Sequence, residues 1–338
     1  MGKHNKYDTI NVFNLKDINV YYGIPNCYTS YSLGSSSLND TLNYVYKNHF
    51  DFLMITDKNS FLPKPIYYNG NTITRWNYSC NLLKRFQKKK ENFIVFQGFE
   101  AKIIPYGDIN VINPNNFFIG DINDINLLIV WMIKNPDAFI IIKHPIKSIL
   151  DLPYSKILNN IITSIEVCNG TFGVHYNRRE KYYFKLLDLG WKLGAVNSLN
   201  TNNLDFGNNN NNNVTGAILP KLSKGALIEC FRKRNTFSSE SRSLTFYFFA
   251  NDILMGGVIS SNPDNINFSV FVEDKYYFIE KIDIITNEGQ IIHSISNLKL
   301  NKIKYLYSHK LQENQTWFVV KIYQENGRIA ISSPIFID

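Results

Sequence analysis

The sequence is short of cysteine, of histidine and of long apolar runs, and each shortage narrows what the chain can be. Its four cysteines, Cys27, Cys80, Cys168 and Cys230, stand far apart with no C-x-x-C pair. That spacing excludes a zinc knuckle and a dense disulfide framework. The six histidines are scattered, and His4, His49, His293 and His309 have no clustered partners. No apolar stretch reaches membrane-spanning length, and residues 1–20 lack the apolar core of a signal peptide. A cytoplasmic protein without a membrane span is therefore expected, with secretion left open should a leader have been removed. Acidic residues are fewer than basic ones, 28 against 36, for a net charge of +8. Such a balance favours anionic partners in general. It does not point to nucleic acid. The basic residues are dispersed apart from Lys84-Arg85 and Lys88-Lys89-Lys90, which have no interleaved aromatics and read as a solvated helix end.

What the chain does have is core-forming material. Hydrophobic residues make up 44% and aromatics 14%, enough to exclude global disorder. A length of 338 residues suggests two domains, or a barrel with an appendage. Residues 21–59 read as strand, polar turn, amphipathic helix, buried strand and polar turn. Leu38, Leu42, Val45 and Tyr46 share one helical face behind cap candidates at 35–39, and Phe52 to Ile55 form a short apolar run typical of a strand covered on both sides. The alternation continues with helices predicted over 78–90, 126–134 and 179–189. Strands are predicted over 93–101, 106–112, 138–143, 164–170 and 191–196. This pattern predicts a parallel α/β barrel over residues 18–221, with polar residues at the C-terminal ends of its strands forming the site.

From residue 222 the texture changes. One helix gives way to alternating strands at 244–250, 267–272, 278–285, 290–294, 316–323 and 329–336, with turn signals between them at Asn251-Asp252, Asn287-Glu288-Gly289 and Asn326-Gly327. That pattern predicts a β-sandwich over 222–338. Residues 1–17 read as a lead-in, and the asparagine run at 208–213 as a flexible loop.

Several of these segments resemble one family. Gly23-Ile24-Pro25-Asn26-Cys27-Tyr28-Thr29 and Asp51-Phe52-Leu53-Met54-Ile55-Thr56-Asp57-Lys58-Asn59 are similar in frame to the first two motifs of the PHP (polymerase and histidinol phosphatase) superfamily. Tyr106-Gly107-Asp108-Ile109-Asn110, His144-Pro145, Glu166-Val167-Cys168-Asn169-Gly170 and residues 197–202 resemble its later motifs. Arg234-Asn235-Thr236-Phe237, Met255-Gly256 and the closing segments at 317–321 and 331–336 resemble the carbaryl-hydrolase-like (CehA/McbA) branch. The resemblance implies a distorted (β/α)7 barrel followed by a β-sandwich.

It also implies a metallohydrolase site whose ligands are mostly replaced. Working members hold divalent metals on His, Asp and Glu side chains to activate water. The corresponding positions here are Asn26, Tyr28, Leu33, Lys58, Glu100, Asp108, His144, Leu199 and Thr201. Glu100 and His144 keep the expected type, and Asp108 is a donor of another kind. Leucine coordinates nothing, and an ammonium at Lys58 repels a divalent cation. Lys58 is instead expected to pair with Glu100 or Asp108. The expected protein is a catalytically inactive member, without cofactor, that binds a small polar or anionic ligand or a protein partner. Asn26, Tyr28, Lys58, Glu100, Asp108, His144 and Thr201 would line its residual pocket. The alternative is a reduced hydrolase of phosphate or carboxylic esters with one manganese, zinc or iron ion on Glu100, Asp108 and His144. A third, metal-free reading uses Cys27 or His175. Tyr28 and Tyr31 would either stack a ligand or fill the space the metals left.

Overall fold

A computed structural model describes residues 17–170, 177–199, 203–204, 212–260 and 263–338. Strand β1 (Asn19–Cys27) leads into helix α1 (Leu38–Lys47) and strand β2 (Phe52–Ile55). A hairpin of β3 (Pro65–Tyr68) and β4 (Asn71–Thr74) precedes α2 (Arg75–Lys89) and β5 (Ile94–Ile103). Next come β6 (Gly107–Ile112), α3 (Ile125–Ile133), β7 (Phe139–Lys143) and α4 (Lys156–Ile161). The run closes with β8 (Ile162–Asn169), β9 (Asn177–Arg178), α5 (Glu180–Asp188) and β10 (Gly194–Ser198). Local chemistry starts the helices. Ser37, Thr74, Asp124 and Ser155 each accept a hydrogen bond from a first-turn amide.

Strands β1, β2 and β5 are parallel neighbours, as are β7, β8 and β10. The expectation of an all-parallel barrel fails between these two groups, because β6 runs antiparallel to both β5 and β7. The reason is length: a parallel return needs a crossover of a dozen or more residues, and the link from Ile103 to Gly107 is far too short to carry one.

The second half contributes β11 (Val214–Leu219), α6 (Lys224–Arg232), β12 (Thr236–Ser239), β13 (Leu244–Ala250), β14 (Ile253–Leu254), β15 (Val258–Ile259) and β16 (Asn265–Asp274). It ends with β17 (Ile279–Thr286), β18 (Gln290–Leu300), β19 (Lys302–Lys310), β20 (Trp317–Gln324), β21 (Ile329–Ser332) and β22 (Ile335–Ile337). Strand β11 pairs with β1, so one path of strands runs from β10 through β1 and β11 to β12, β21, β20, β17 and β18. A separate sheet has the order β14–β13–β16–β19. Phe246, Phe248, Phe268 and Val270 of that sheet share a core with Phe237, Ile282, Phe318 and Val320 of the long one. The sequence reading passed over strand β19, in which Lys302, Lys304, Ser308 and Lys310 belong to the solvent-facing half of an alternation with Ile303, Tyr305, Tyr307 and His309. Only its alternate residues turn away from solvent. The predicted strand over 329–336 is two strands, β21 and β22, parted at Ser333-Pro334.

Helix α6 closes one end of the first group of strands. Its Leu227 and Phe231 pack among Phe52, Phe96 and Phe139, and the Phe139 and Phe231 rings stack at 5.1 Å. Full burial of a side chain such as Phe231 contributes about 1.5–3 kcal/mol. These phenylalanines lie toward the N-terminal ends of their strands. The C-terminal ends, beyond the apolar plug, carry the polar residues.

Candidate functional site

Alternation along β5 and β7 brings the central charges together. Ile94 and Phe96 face the apolar plug, and Glu100 continues the same parity; Phe139 and Ile141 do the same for Lys143. Both charged residues are buried, Lys143 at 2% exposure and Glu100 at 5%. The Lys143 ammonium donates to Glu100 Oε2 and to the Tyr28 hydroxyl, and the Tyr28 hydroxyl donates to the same Glu100 oxygen. The ammonium also lies 4.2 Å from the centre of the Tyr28 ring. Lys58 approaches the other oxygen, with its Nζ 3.8 Å from Glu100 Oε1. Burial, together with the Glu100 carboxylate, pushes the Tyr28 phenol far above its ordinary range, so it remains a proton donor. Lys143 is the residue the sequence reading missed. Its signal was its parity with Phe139 and Ile141, hidden because it stands next to the more conspicuous His144.

A second polar group sits beside this one. His144 Nδ1 is 2.8 Å from Glu166 Oε1 and 2.5 Å from the Asn169 side-chain amide. Asn169 and Ser198 also donate to Glu166. Burial opposes the Glu166 charge, but His144, Asn169 and Ser198 outweigh it and hold the carboxyl below its ordinary range. His144 has a left-handed backbone (φ 43°), uncommon for a residue with a side chain. Its ring, with Lys102, Asp108 and Arg179, lines a cavity of about 260 Å³ at the mouth. Arg179 is anchored there by a 3.0 Å hydrogen bond from Nη1 to the Pro145 carbonyl.

The remaining expected site residues fall elsewhere. Asn26 is buried and accepts a 2.6 Å hydrogen bond from the Thr56 hydroxyl. Leu199 is buried in an apolar cluster with Ile24, Cys27 and Leu38, while Leu33 is 44% exposed. Tyr31 stands edge-on to Tyr78 with its ring centre 5.6 Å from the Arg75 guanidinium, a packing role. Thr201, His4 and His175 lie outside the described residues. Cys27 does not suit nucleophilic chemistry. Burial, aided by Asp57, pushes its thiol up to about 12, leaving it protonated at neutral pH. Asp57 itself accepts from the Thr29 amide (2.8 Å), the Thr29 hydroxyl (2.6 Å) and the Ser32 hydroxyl (2.5 Å), which ties the turn after β1 to the end of β2.

No protein-family model matches the sequence, and no curated protein matches it either. Solved structures do match. One is a two-domain protein from Bacteroides vulgatus ATCC 8482 containing a predicted PHP-like metal-dependent phosphoesterase. Its TM-score is 0.54 at 14% identity, over 91% of each chain. The chain shares the overall fold of that two-domain protein. PsfC from Pseudomonas syringae PB-5123 is also similar, with a TM-score of 0.39 at 11% identity over 63% of this chain and 88% of its own.

Metal dependence is predicted of the Bacteroides protein; the donors described here are arranged otherwise. Among the described residues, no group of three or more His, Cys, Asp and Glu side chains is arranged to hold a metal ion. Glu100 is engaged by an ammonium and a phenol. Glu100 does not line the mouth cavity that Asp108 and His144 share. A cation placed between them would face both Lys58 and Lys143.

Proposed function

We propose that this chain is a PHP-superfamily protein, beside the carbaryl-hydrolase-like branch, in which a buried ammonium replaces the metals and ligand binding replaces metal-dependent hydrolysis. In this reading residues 18–221 form the distorted seven-stranded barrel, residues 222–338 form the β-sandwich with α6 as the joint, and no metal cofactor is resident. The observation that carries the reading is Lys143. Its Nζ fills hydrogen-bonding directions of Glu100 and Tyr28 and neutralises a buried carboxylate that would otherwise demand a cation.

The residual function is anion binding at the mouth. Lys102 and Arg179 supply positive charge around the cavity and His144 its ring, against the carboxylate of Asp108 in the same lining. A planar guanidinium held by a backbone carbonyl suits a carboxylate or phosphate oxygen. Glu166, the buried carboxylate beside His144, is taken up by His144, Asn169 and Ser198 and is not free to serve as a base toward that ligand.

The test is metal content after purification without chelator or affinity tag, followed by addition of manganese, zinc and iron with melting temperature as readout. The expected result is negligible metal and no stabilisation. A stoichiometric metal, lost on His144→Ala, would overturn the proposal and restore the reduced hydrolase on Glu100, Asp108 and His144.

A further inference from the structure

The antiparallel β5–β6 hairpin leaves an open groove in the helical layer. Since no crossover helix joins these strands, the outer face at the start of β5 is flanked by α2 on one side and by the turn after β6 on the other. The result is a cavity of about 680 Å³, within the range of small-molecule sites. Val95 and Gln97 line it from β5, and Leu83 and Cys80 from α2. It lies toward the plugged end of the strands, away from Glu100 and Lys143.

Two independent features give this groove chemistry. The first is charge. Lys84 and Lys88 lie one helical turn apart on α2, and Lys224 enters from the start of α6. None of the three has an ion pair among the described residues, and Glu91 is the one acidic side chain in the lining. Burial lowers the Lys224 ammonium below its ordinary range, a cost that a bound anion relieves. The second is an unmet acceptor. Gln97 is 9% exposed, and its amide nitrogen donates to the Gly98 carbonyl at 3.1 Å. Its Oε1 is buried with no partner among the described residues. An unpaired buried acceptor is destabilising and calls for a donor.

We infer that this groove is a second ligand site, built for a small phosphorylated polyol such as a sugar phosphate. The lysines receive the phosphate, and a ligand hydroxyl donates to Gln97 Oε1 once that side chain turns out toward the groove. The lining carries no aromatic side chain on which a base would stack, so the sugar side of the ligand is favoured over a nucleobase. The basic run on α2, which as sequence reads as a solvated helix end, thereby places two of its lysines on a binding wall. A merely solvated face accounts for the lysines but not for the orphaned Gln97 carbonyl.

The experiment uses the full chain and glucose 6-phosphate as probe, with titration calorimetry and the rate of Cys80 alkylation as readouts. Cys80 lines the groove, so bound probe slows its labelling. Probe protection of Cys80 is expected to be lost in Lys84→Glu/Lys88→Glu and weakened in Gln97→Leu. That protection is expected to persist in Arg179→Ala, whose side chain lies at the mouth cavity and not in this groove. Circular dichroism confirms that each variant folds. Absence of heat and of Cys80 protection would overturn the inference. So would undiminished protection in the double charge reversal, or equal protection by inorganic phosphate and glucose 6-phosphate.

Discussion

The Lys143 ammonium and the Glu100 carboxylate meet as a buried ion pair, capped by the Tyr28 hydroxyl, at the C-terminal ends of β7 and β5. Removing one partner of such a pair leaves the other charge in low dielectric without compensation. Lys143→Met is therefore expected to cost about 3–5 kcal/mol, read from urea denaturation. The double variant Lys143→Met/Glu100→Gln removes both charges and is expected to recover much of that loss. If Lys143→Met proves neutral, the pair does not hold the mouth together.

Lys58 makes the instructive contrast. Its ammonium is 3.8 Å from Glu100 Oε1, and its side chain is 40% exposed. Solvent screens such a pair, so Lys58→Met is expected to cost no more than about 1 kcal/mol in the same denaturation assay. A loss as large as that of Lys143→Met would mean that Lys58, not Lys143, carries the compensation.

Glu166 sets an acid-side dependence. Its folded carboxyl titrates below its ordinary value of 4.5, with burial outweighed by His144, Asn169 and Ser198. A depressed folded pKa stabilises the protein above the unfolded value, and that contribution disappears as pH falls through the folded one. Melting temperature followed from neutrality into strong acid should therefore fall, and Glu166→Gln should flatten that limb. An identical acid limb in the variant would assign the fall to other groups.

The elements were legible in the sequence where periodicity is strong. The helices at 78–90, 126–134 and 179–189 appear as α2, α3 and α5; Thr74 and Asp124 cap the first two, and α5 forms without a side-chain cap on its buried Tyr183, Leu186 and Leu187. Strand direction was less legible. A buried run such as Phe139 to Ile142 is equally apolar beside a parallel or an antiparallel neighbour, and only the short link from Ile103 to Gly107 marks the reversal. At the site, motif positions pointed to Glu100, Lys58 and His144 but passed over Lys143 and Glu166. Those two are revealed by which face of the strand they occupy. Asn26 shares a segment with Tyr28, and its side-chain oxygen accepts from Thr56.

Two glycines should respond in opposite directions to alanine. At Gly23 a Cβ would lie 2.4 Å from the Phe52 ring and from the Phe52 carbonyl oxygen, both fixed by the β1–β2 pairing. Gly23→Ala is expected to cost about 1–3 kcal/mol or more. At Gly225, inside α6, a Cβ meets nothing within 4 Å. Gly225→Ala is expected to stabilise by about 0.4–1 kcal/mol through reduced freedom of the unfolded chain. Thermal melts of the two variants decide the matter, and the same sign for both would refute this account of the packing.

The thiols offer a last discrimination, between a chemically silent Cys27 and a nucleophilic one. Cys27, Cys168 and Cys230 are buried, and burial pushes Cys27 and Cys230 up to about 12 and Cys168 well above its ordinary value. Cys80 is only partly buried and lies in the groove beside α2. Thiolate is the reactive form, so an accessible thiol with a modest shift reacts before an inaccessible one with a large shift. Alkylation of the native protein near neutral pH should therefore add one label, at Cys80, and alkylation in denaturant should add four, one for each cysteine in the chain. Intact-mass and peptide analysis read both numbers. Were Cys27 labelled first, its thiol would be activated by neighbours that outweigh Asp57 and burial, and a covalent mechanism at the end of β1 would regain its case over the silent pocket argued from Lys143.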